Sequence, residues 1–377
     1  MRKDLAITIL SCVSLGSAIG FVDNAFATSY SVEAIIPADA NGTIITDLTD
    51  DGEAIGFTVK CEARVKKACS QTAFIFRDSQ LIPLAPVEGD SVSEAIGINP
   101  SRDLIVGFSQ KNYKSEPYAV VWGDDGSVKI LPKFLENDIS VAIAVNDKDF
   151  AVGYAKSNQG SGNEVAVAWD LTEGIAYGLE TPNNMDSAAF AINPEGLLIA
   201  GYMQKEKFPF RKEVAVFWNA DRKLTELPNL GGWRSRVMAV NTHETMVGFS
   251  TLSKMRIEQH AALWKTDGSI QDLGKLDKDL HAAATSINDN DQIVGYSSGL
   301  FNSGMMAKLD GGIMQSKGFL YENGAMADLN ALLREEDAGN WNIVAATKIN
   351  NEGLIAAVAQ KNDDSDNYWG VILRPQD

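Results

Sequence analysis

The sequence predicts an all-β fold: a seven-bladed β-propeller of four-stranded antiparallel blades, with the N-terminal strand closing the last blade. Three observations predict it. One phrase recurs along the chain, aligned on Gly56, Gly107, Gly153, Gly201, Gly248 and Gly295, with Ala357 in a seventh copy. A second phrase, usually ending in an aromatic residue, follows each copy. The chain also ends one strand short and begins with a strand to spare. The steps between the aligned positions are 51, 46, 48, 47, 47 and 62 residues by subtraction. A fixed period of roughly 40–50 residues marks an architecture built from one repeated supersecondary unit.

The first phrase reads as a hairpin. Ile98-Asn99 and Ile287-Asn288 end one strand, and Asn, Asp, Pro and Gly supply the turn conformations. The run after the turn, Ile293-Val294-Gly295-Tyr296 in the sixth copy, is a short buried strand. Its glycine marks a place where a side chain would meet a neighbouring backbone. The residue two before the asparagine is small in most copies (Gly97, Ala144, Ala191, Ala239, Ser286), as suits a strand crowded near an axis. The second phrase is a third strand: AFIF, AVVW, AVAW, AVFW, AALW, GFLY and GVIL, holding four of the chain's seven tryptophans. A turn and an apolar strand close most units, as in DDGSVKIL and TDGSIQDL. Four short antiparallel strands per unit make a propeller blade.

The last copy stops at Leu373-Arg374-Pro375 without a fourth strand, while Ser29 to Ile36 (SYSVEAII) offers an unpaired one. Pairing the two closes the ring and removes an open edge. An open solenoid, the rival reading, leaves both ends unexplained. Asp328 to Glu336 (DLNALLREE) fits a short helix between the sixth and seventh units.

His260-Ala261-Ala262-Leu263-Trp264, followed by Gly268-Ser269-Ile270-Gln271-Asp272-Leu273, resembles the HAF-type extracellular repeat of bacterial exported proteins. That consensus runs alanine, isoleucine, asparagine, a turn, valine and glycine, then His-Ala-Phe-Leu-Trp and a Gly-x-x-x-Asp-Leu close. The resemblance covers nearly all of the chain after its first 27 residues. It implies a propeller-like fold and no assigned activity. Most copies here lack the histidine, so it is not a shared catalytic group.

The chain opens with Arg2 and Lys3, an apolar run from about Leu5 to Phe21, and Ala25-Phe26-Ala27. This predicts a secretory signal peptide over residues 1–27, cut after Ala27, and a single domain over 28–377. The run is marginal for a membrane span, and the cleavage pattern opposes a retained anchor. The protein is therefore expected in the periplasm or outside the cell. Two cysteines follow the cut, Cys61 and Cys69. An even pair in an exported chain favours a disulfide, with free thiols or a metal pair as the alternatives. The three histidines, His243, His260 and His281, are scattered and do not complete a metal set. Net charge is −17, which repels nucleic acid and anionic lipid and favours cations or basic partners. A monomer is expected.

In a propeller the second-to-third strand loops and the blade connections share one face. From the aligned glycine to the aligned Ala or Gly the separation is 17, 12, 13, 14, 13 and 23 residues in units one to six, so the variation lies on that face. Function is expected there. Phe208, Phe210, Arg211, Trp233, Arg234, Lys254 and Arg256 form a basic and aromatic set on it, fit for a carboxylate, phosphate or acidic glycan. The plainer reading is solvated loop charge paired with Glu206, Glu213 and Glu258. The sixth unit adds a long Gly- and Met-rich loop, Ser297 to Ser316, which reads as an extra hairpin or an adaptable contact surface.

Acidic turns such as NDND and NDKD invite calcium, but EF-hand spacing is absent and hairpin geometry accounts for them. No cofactor is expected. The sequence holds no G-x-S-x-G, H-E-x-x-H or phosphate-loop motif. The expectation is an exported binding module for a protein or an anionic glycan. The rivals are a hydrolase or lyase acting on a polysaccharide or lactone with channel acids, and an envelope structural component.

Overall fold

A computed structural model describes residues 28–61, 69–136, 138–157, 163–182, 185–206, 212–253, 258–299 and 316–376. The expected signal segment and most of the Ser297–Ser316 loop lie outside them. The described residues form β1 (Ser29–Ile35) and then seven runs of strands. The first is β2 (Gly42–Leu48), β3 (Ala54–Cys61), β4 (Cys69–Arg77) and β5 (Gln80–Pro83). The second is β6 (Val92–Ile98), β7 (Leu104–Gln110), β8 (Tyr118–Gly123) and β9 (Val128–Ile130). The third is β10 (Asp138–Val145), β11 (Phe150–Ser157), β12 (Glu164–Asp170) and β13 (Ile175–Gly178). The fourth is β14 (Ser187–Ile192), β15 (Leu198–Glu206), β16 (Lys212–Asn219) and β17 (Leu224–Glu226). The fifth is β18 (Ser235–Val240), β19 (Met246–Thr251), β20 (Gln259–Trp264) and β21 (Ile270–Gly274). The sixth is β22 (His281–Ile287), β23 (Ile293–Ser298), β24 (Ser316–Glu322) and β25 (Ala325–Asp328). The last is β26 (Trp341–Ile349), β27 (Ile355–Lys361) and β28 (Asp364–Gln376).

Strands within a run pair antiparallel in chain order. Single parallel bridges, Gln71 to Val92 and Gln259 to His281, join the first run to the second and the fifth to the sixth. The three-stranded last run takes β1 as its fourth member, with Val32 opposite Leu373 and Ala34 opposite Val371. The first strands of the runs, β2, β6, β10, β14, β18, β22 and β26, touch in that order, and β26 returns to β2. They surround a central channel.

The repeated residues hold this arrangement. A Cβ on Gly295 would lie 2.0 Å from the Ala283 carbonyl oxygen, and the other five aligned glycines meet the same approach at 1.9–2.0 Å. Where Ala357 replaces glycine, β26 carries two register shifts against its partner instead of the single one seen elsewhere, which makes room for the methyl. Each repeat tryptophan is fully buried and donates its indole N–H to the connection behind the preceding run. Trp122 reaches Ala85 O, Trp169 Pro132 O, Trp218 Glu180 O and Trp264 Pro228 O, at 2.8–2.9 Å. The core is accordingly divided among the interfaces between runs. One such layer joins Val106, Ala119 and Leu131 to Ala142, Val167 and Trp169.

The asparagines work the same way at the first-to-second strand turns. Asn350 is buried; its Oδ1 accepts the N–H groups of Glu352 and Leu354, and its Nδ2 donates to Thr49 O at 2.8 Å. Asn146 to Asn193 O, Asn241 to Asn288 O and Asn288 to Asn350 O repeat the link. Cys61 and Cys69 are disulfide-bonded across β3 and β4. The expected helix after β25 divides in two: a 3-10 turn at Leu329–Leu332, capped by Asp328, then one α turn, α1 (Glu335–Ala338).

Candidate functional site

The channel is a cavity of about 810 Å³. Its two mouths differ. At the turn end the polar groups bond to one another. Asp50 accepts the Asn351 N–H, Asp147 the Ser101 N–H and Asp289 the Thr242 N–H, each at 2.9 Å. Asp47 is held by Lys348 at 2.9 Å. These groups bind neighbouring runs and leave little for a ligand.

At the other end, on the face of the variable loops, two sets of side chains meet. The inner-strand carbonyls that crowd the glycines belong to Ile44, Glu94, Val141, Ala188, Arg236 and Ala283. Directly opposite them in register stand the residues after the glycines: Phe57, Phe108, Tyr154, Tyr202, Phe249 and Tyr296. An aromatic residue therefore stands opposite each of these inner-strand positions, with an acid and a base at otherwise apolar places, and Phe108 and Tyr154 line the cavity.

The polar members form a linked arc. Arg236 donates from Nε to Glu213 at 2.9 Å and lies over the Tyr202 ring, 4.1 Å from its centre. Tyr202 donates its hydroxyl to Glu164 at 2.9 Å and stacks on Phe190 with ring centres 5.8 Å apart. Burial works against the Glu213 charge, yet Arg236 and Arg234 hold its carboxyl below the usual range. Burial raises Glu164, with Asp186 adding to the shift. Burial pushes Glu94 up to about 7, although a hydrogen bond from Gln71 opposes it. Tyr154 rises to about 12 through burial and the charges of Glu164 and Glu94.

Of the predicted site residues, Phe208, Phe210, Arg211, Lys254 and Arg256 lie outside the described residues. Trp233 and Arg234 lie inside them. The Trp233 carbonyl accepts the Glu213 N–H at 2.9 Å, and Arg234 bonds to the Glu213 carboxylate at 3.2 Å beside Arg236. Arg234 is thus internally paired. His260 of the best repeat copy bonds through Nδ1 to Asp272 at 2.8 Å, pinning β20 to β21. Among the described residues no group of three His, Cys, Asp or Glu is placed to hold a metal ion.

Glu94, Tyr154, Glu164 and Tyr202 were not among the predicted residues. The signal for Glu94 was present: a charge at a repeat position that holds Ile, Val or Ala in Ile44, Val141, Ala188 and Ala283. Only the register shows that this position faces the channel.

A family model described as "Protein of unknown function (DUF3466)" matches residues 139–373. No curated protein matches the chain. Solved structures of similar fold include the β-propeller domain of the trilobed protease from Pyrococcus furiosus, at 12% identity, TM-score 0.57, covering 88% of this chain and 94% of that one. That domain is described as having an open velcro topology, whereas here β1 pairs with β28. Acylaminoacyl peptidase from Pyrococcus horikoshii matches at 13% identity and TM-score 0.52, over 89% of this chain and 52% of that one. This chain therefore spans about half the length of that peptidase. A streptogramin B lyase matches at 10% identity and TM-score 0.50, over 92% and 98%. At these identities the likeness is one of fold.

Proposed function

We propose, from the premise that the chain belongs to the DUF3466 family of proteins of unknown function, that it is an exported seven-bladed propeller acting as a binding module through its variable-loop face. The observation that carries the reading is the asymmetry of the channel. One mouth uses its polar groups to join neighbouring runs, and at the other, on the face of the variable loops, Glu94, Phe108 and Tyr154 line the cavity beside the linked set Glu164, Tyr202, Arg236 and Glu213. Its repeat phrases support a place among the HAF-type extracellular repeat proteins. Export is supported by Arg2, Lys3, the apolar run and Ala25-Phe26-Ala27, and by a disulfide, which persists in oxidising compartments. The protein recovered outside the cytoplasm is expected to begin at Thr28. N-terminal sequencing that finds Met1 instead would refute cleavage.

The loop residues Phe208, Phe210, Arg211, Lys254 and Arg256, with Trp233, are the part of the face we assign to an anionic partner. Replacing Arg211, Lys254 and Arg256 together by Glu is expected to abolish capture on an acidic-glycan array. Absence of capture by the native protein removes the assignment.

A second reading has one observation in its favour. A carboxyl group near 7 inside an apolar channel is suited to proton transfer. In this reading Glu94 is the general acid of a hydrolase or lyase acting on a polysaccharide or lactone. Turnover by the native protein that disappears in Glu94→Gln supports it, and no turnover across both substrate classes rejects it.

A further inference from the structure

We infer that the channel end at Glu94 binds an organic ammonium ion, a primary amine or quaternary ammonium head enclosed by Phe108, Tyr113 and Tyr154. The inference rests on the channel being a binding site and names the ligand class it takes there. Phe108 stands directly opposite Glu94 across the β6–β7 pair. Tyr154 from β11 and Tyr113 from the segment after β7 both lie close enough for the Glu94 charge to act on their hydroxyls. Gln71 on β4 hydrogen-bonds to the carboxylate. Glu94, Phe108 and Tyr154 all line the cavity.

What singles out Glu94 is the absence of a countercharge. The other lining carboxylates are met: Asp47 by Lys348, and Asp50, Asp147 and Asp289 by backbone N–H groups. Among the described residues no Lys, Arg or His forms an ion pair with Glu94, and Arg236, the base at the equivalent repeat position, is committed to Glu213. A carboxylate that shares its cavity with Phe108 and Tyr154 and has no ion-pair partner is complementary to an ammonium ion, which gains both the charge and the ring quadrupoles. A net charge of −17 raises the local concentration of such ligands and lowers that of anions.

The groups facing Glu94 from its neighbours are Gln71, Phe108, Tyr113 and Tyr154, and Glu164 lies beyond Tyr154. Both phenols are pushed up to about 12, so they stay protonated between pH 6 and 8. With a carboxyl near 7, the cation-binding form falls from nearly complete at pH 8 to about a tenth at pH 6. Below about pH 7 binding therefore displaces a proton.

The test is calorimetric titration of the full mature chain with choline, butylammonium and the neutral isostere 3,3-dimethylbutan-1-ol. The ammonium probes are expected to bind at pH 8 at least about tenfold tighter than the alcohol, and about tenfold more weakly at pH 6. Glu94→Gln is expected to lose at least about tenfold at pH 8 and to flatten the pH dependence. Phe108→Leu weakens the same probes, and it decides the matter with the wild-type pH profile if Glu94→Gln does not fold. A lysine-bearing peptide that binds tighter than butylammonium assigns a polypeptide source; one that binds no better assigns a free amine. Failure of both ammonium probes to bind at about 10 mM, or equal affinity in Glu94→Gln, overturns the inference. The acidic-glycan array keeps the two readings apart, because loop capture that survives without amine binding leaves the binding module standing.

Discussion

Asn350 joins the last run to the first through a side chain that serves two purposes. It closes its own turn and donates to Thr49 O, 301 residues away in sequence. Asn350→Ala leaves that carbonyl and the N–H groups of Glu352 and Leu354 without these partners. The expected loss is about 3 kcal/mol, read as a lower urea midpoint, since an orphaned buried group costs about 1–3 kcal/mol and the Leu354 N–H is left as one, while the Thr49 carbonyl keeps only the Gly52 N–H. A midpoint within error of wild type would mean that water replaces the amide at no cost. Gly248 is the complementary case, because a Cβ there would lie 2.0 Å from Arg236 O. Gly248→Ala is expected to cost about 3 kcal/mol, read in the same urea titration, unless β18 acquires a second bulge as β26 has. The glycine and the asparagine were both legible as repeat positions. The serines were not: Ala119, Ala166 and Ala215 donate to Ser140, Ser187 and Ser235 of the next run. A small polar residue before an apolar strand carries no distinctive signal until the neighbouring run is in place.

At the scale of the element, β6 shows how one strand can be both scaffold and site. Ser93, Ala95 and Ile98 are buried, while Glu94 and Ile96 face the channel. Burial sets Glu94 near 7, above the value of about 4.3 for a free glutamate. The folded chain therefore holds this proton more tightly than the unfolded one. Below pH 4 the residue costs nothing; its penalty grows as pH rises from about 4.3 to 7 and is complete above that. Wild type is expected to lose on the order of 3–4 kcal/mol across that interval relative to Glu94→Gln, whose stability is flat in this term. Urea titrations of both proteins at pH 4.5 and pH 8 measure it, and parallel pH profiles would refute it. The alternation that makes β6 a strand is plain in VSEAIGI, yet which alternate face meets the channel depends on register.

For the whole molecule, closure depends on β1. Tyr30 and Ile35 are buried, the Tyr30 carbonyl accepts the Arg334 N–H at 2.9 Å, and seven residue pairs align β1 with β28. Removing residues 28–36 exposes the edge of β28 and gives up the burial of both side chains, about 4 kcal/mol in all. The truncated chain is expected to self-associate through that edge, seen as a larger species by light scattering during size exclusion. An unchanged monomer with an unchanged urea midpoint would show that the ring closes without the strand.

Repetition made the architecture readable. Seven near-copies of one hairpin phrase, a spare first strand and a missing last one determined the four-stranded units and the pairing of the two ends, because period, turn chemistry and strand count are local properties that survive in a linear text. The two cysteines, eight positions apart, likewise anticipated their bond. The channel mouth was different. Glu94, Tyr154, Glu164, Tyr202, Glu213 and Arg236 come from four successive runs and meet only when those runs are set around one axis. Their ionisation follows from that meeting, since burial and neighbouring charge act through space and have no counterpart in the order of residues along the chain.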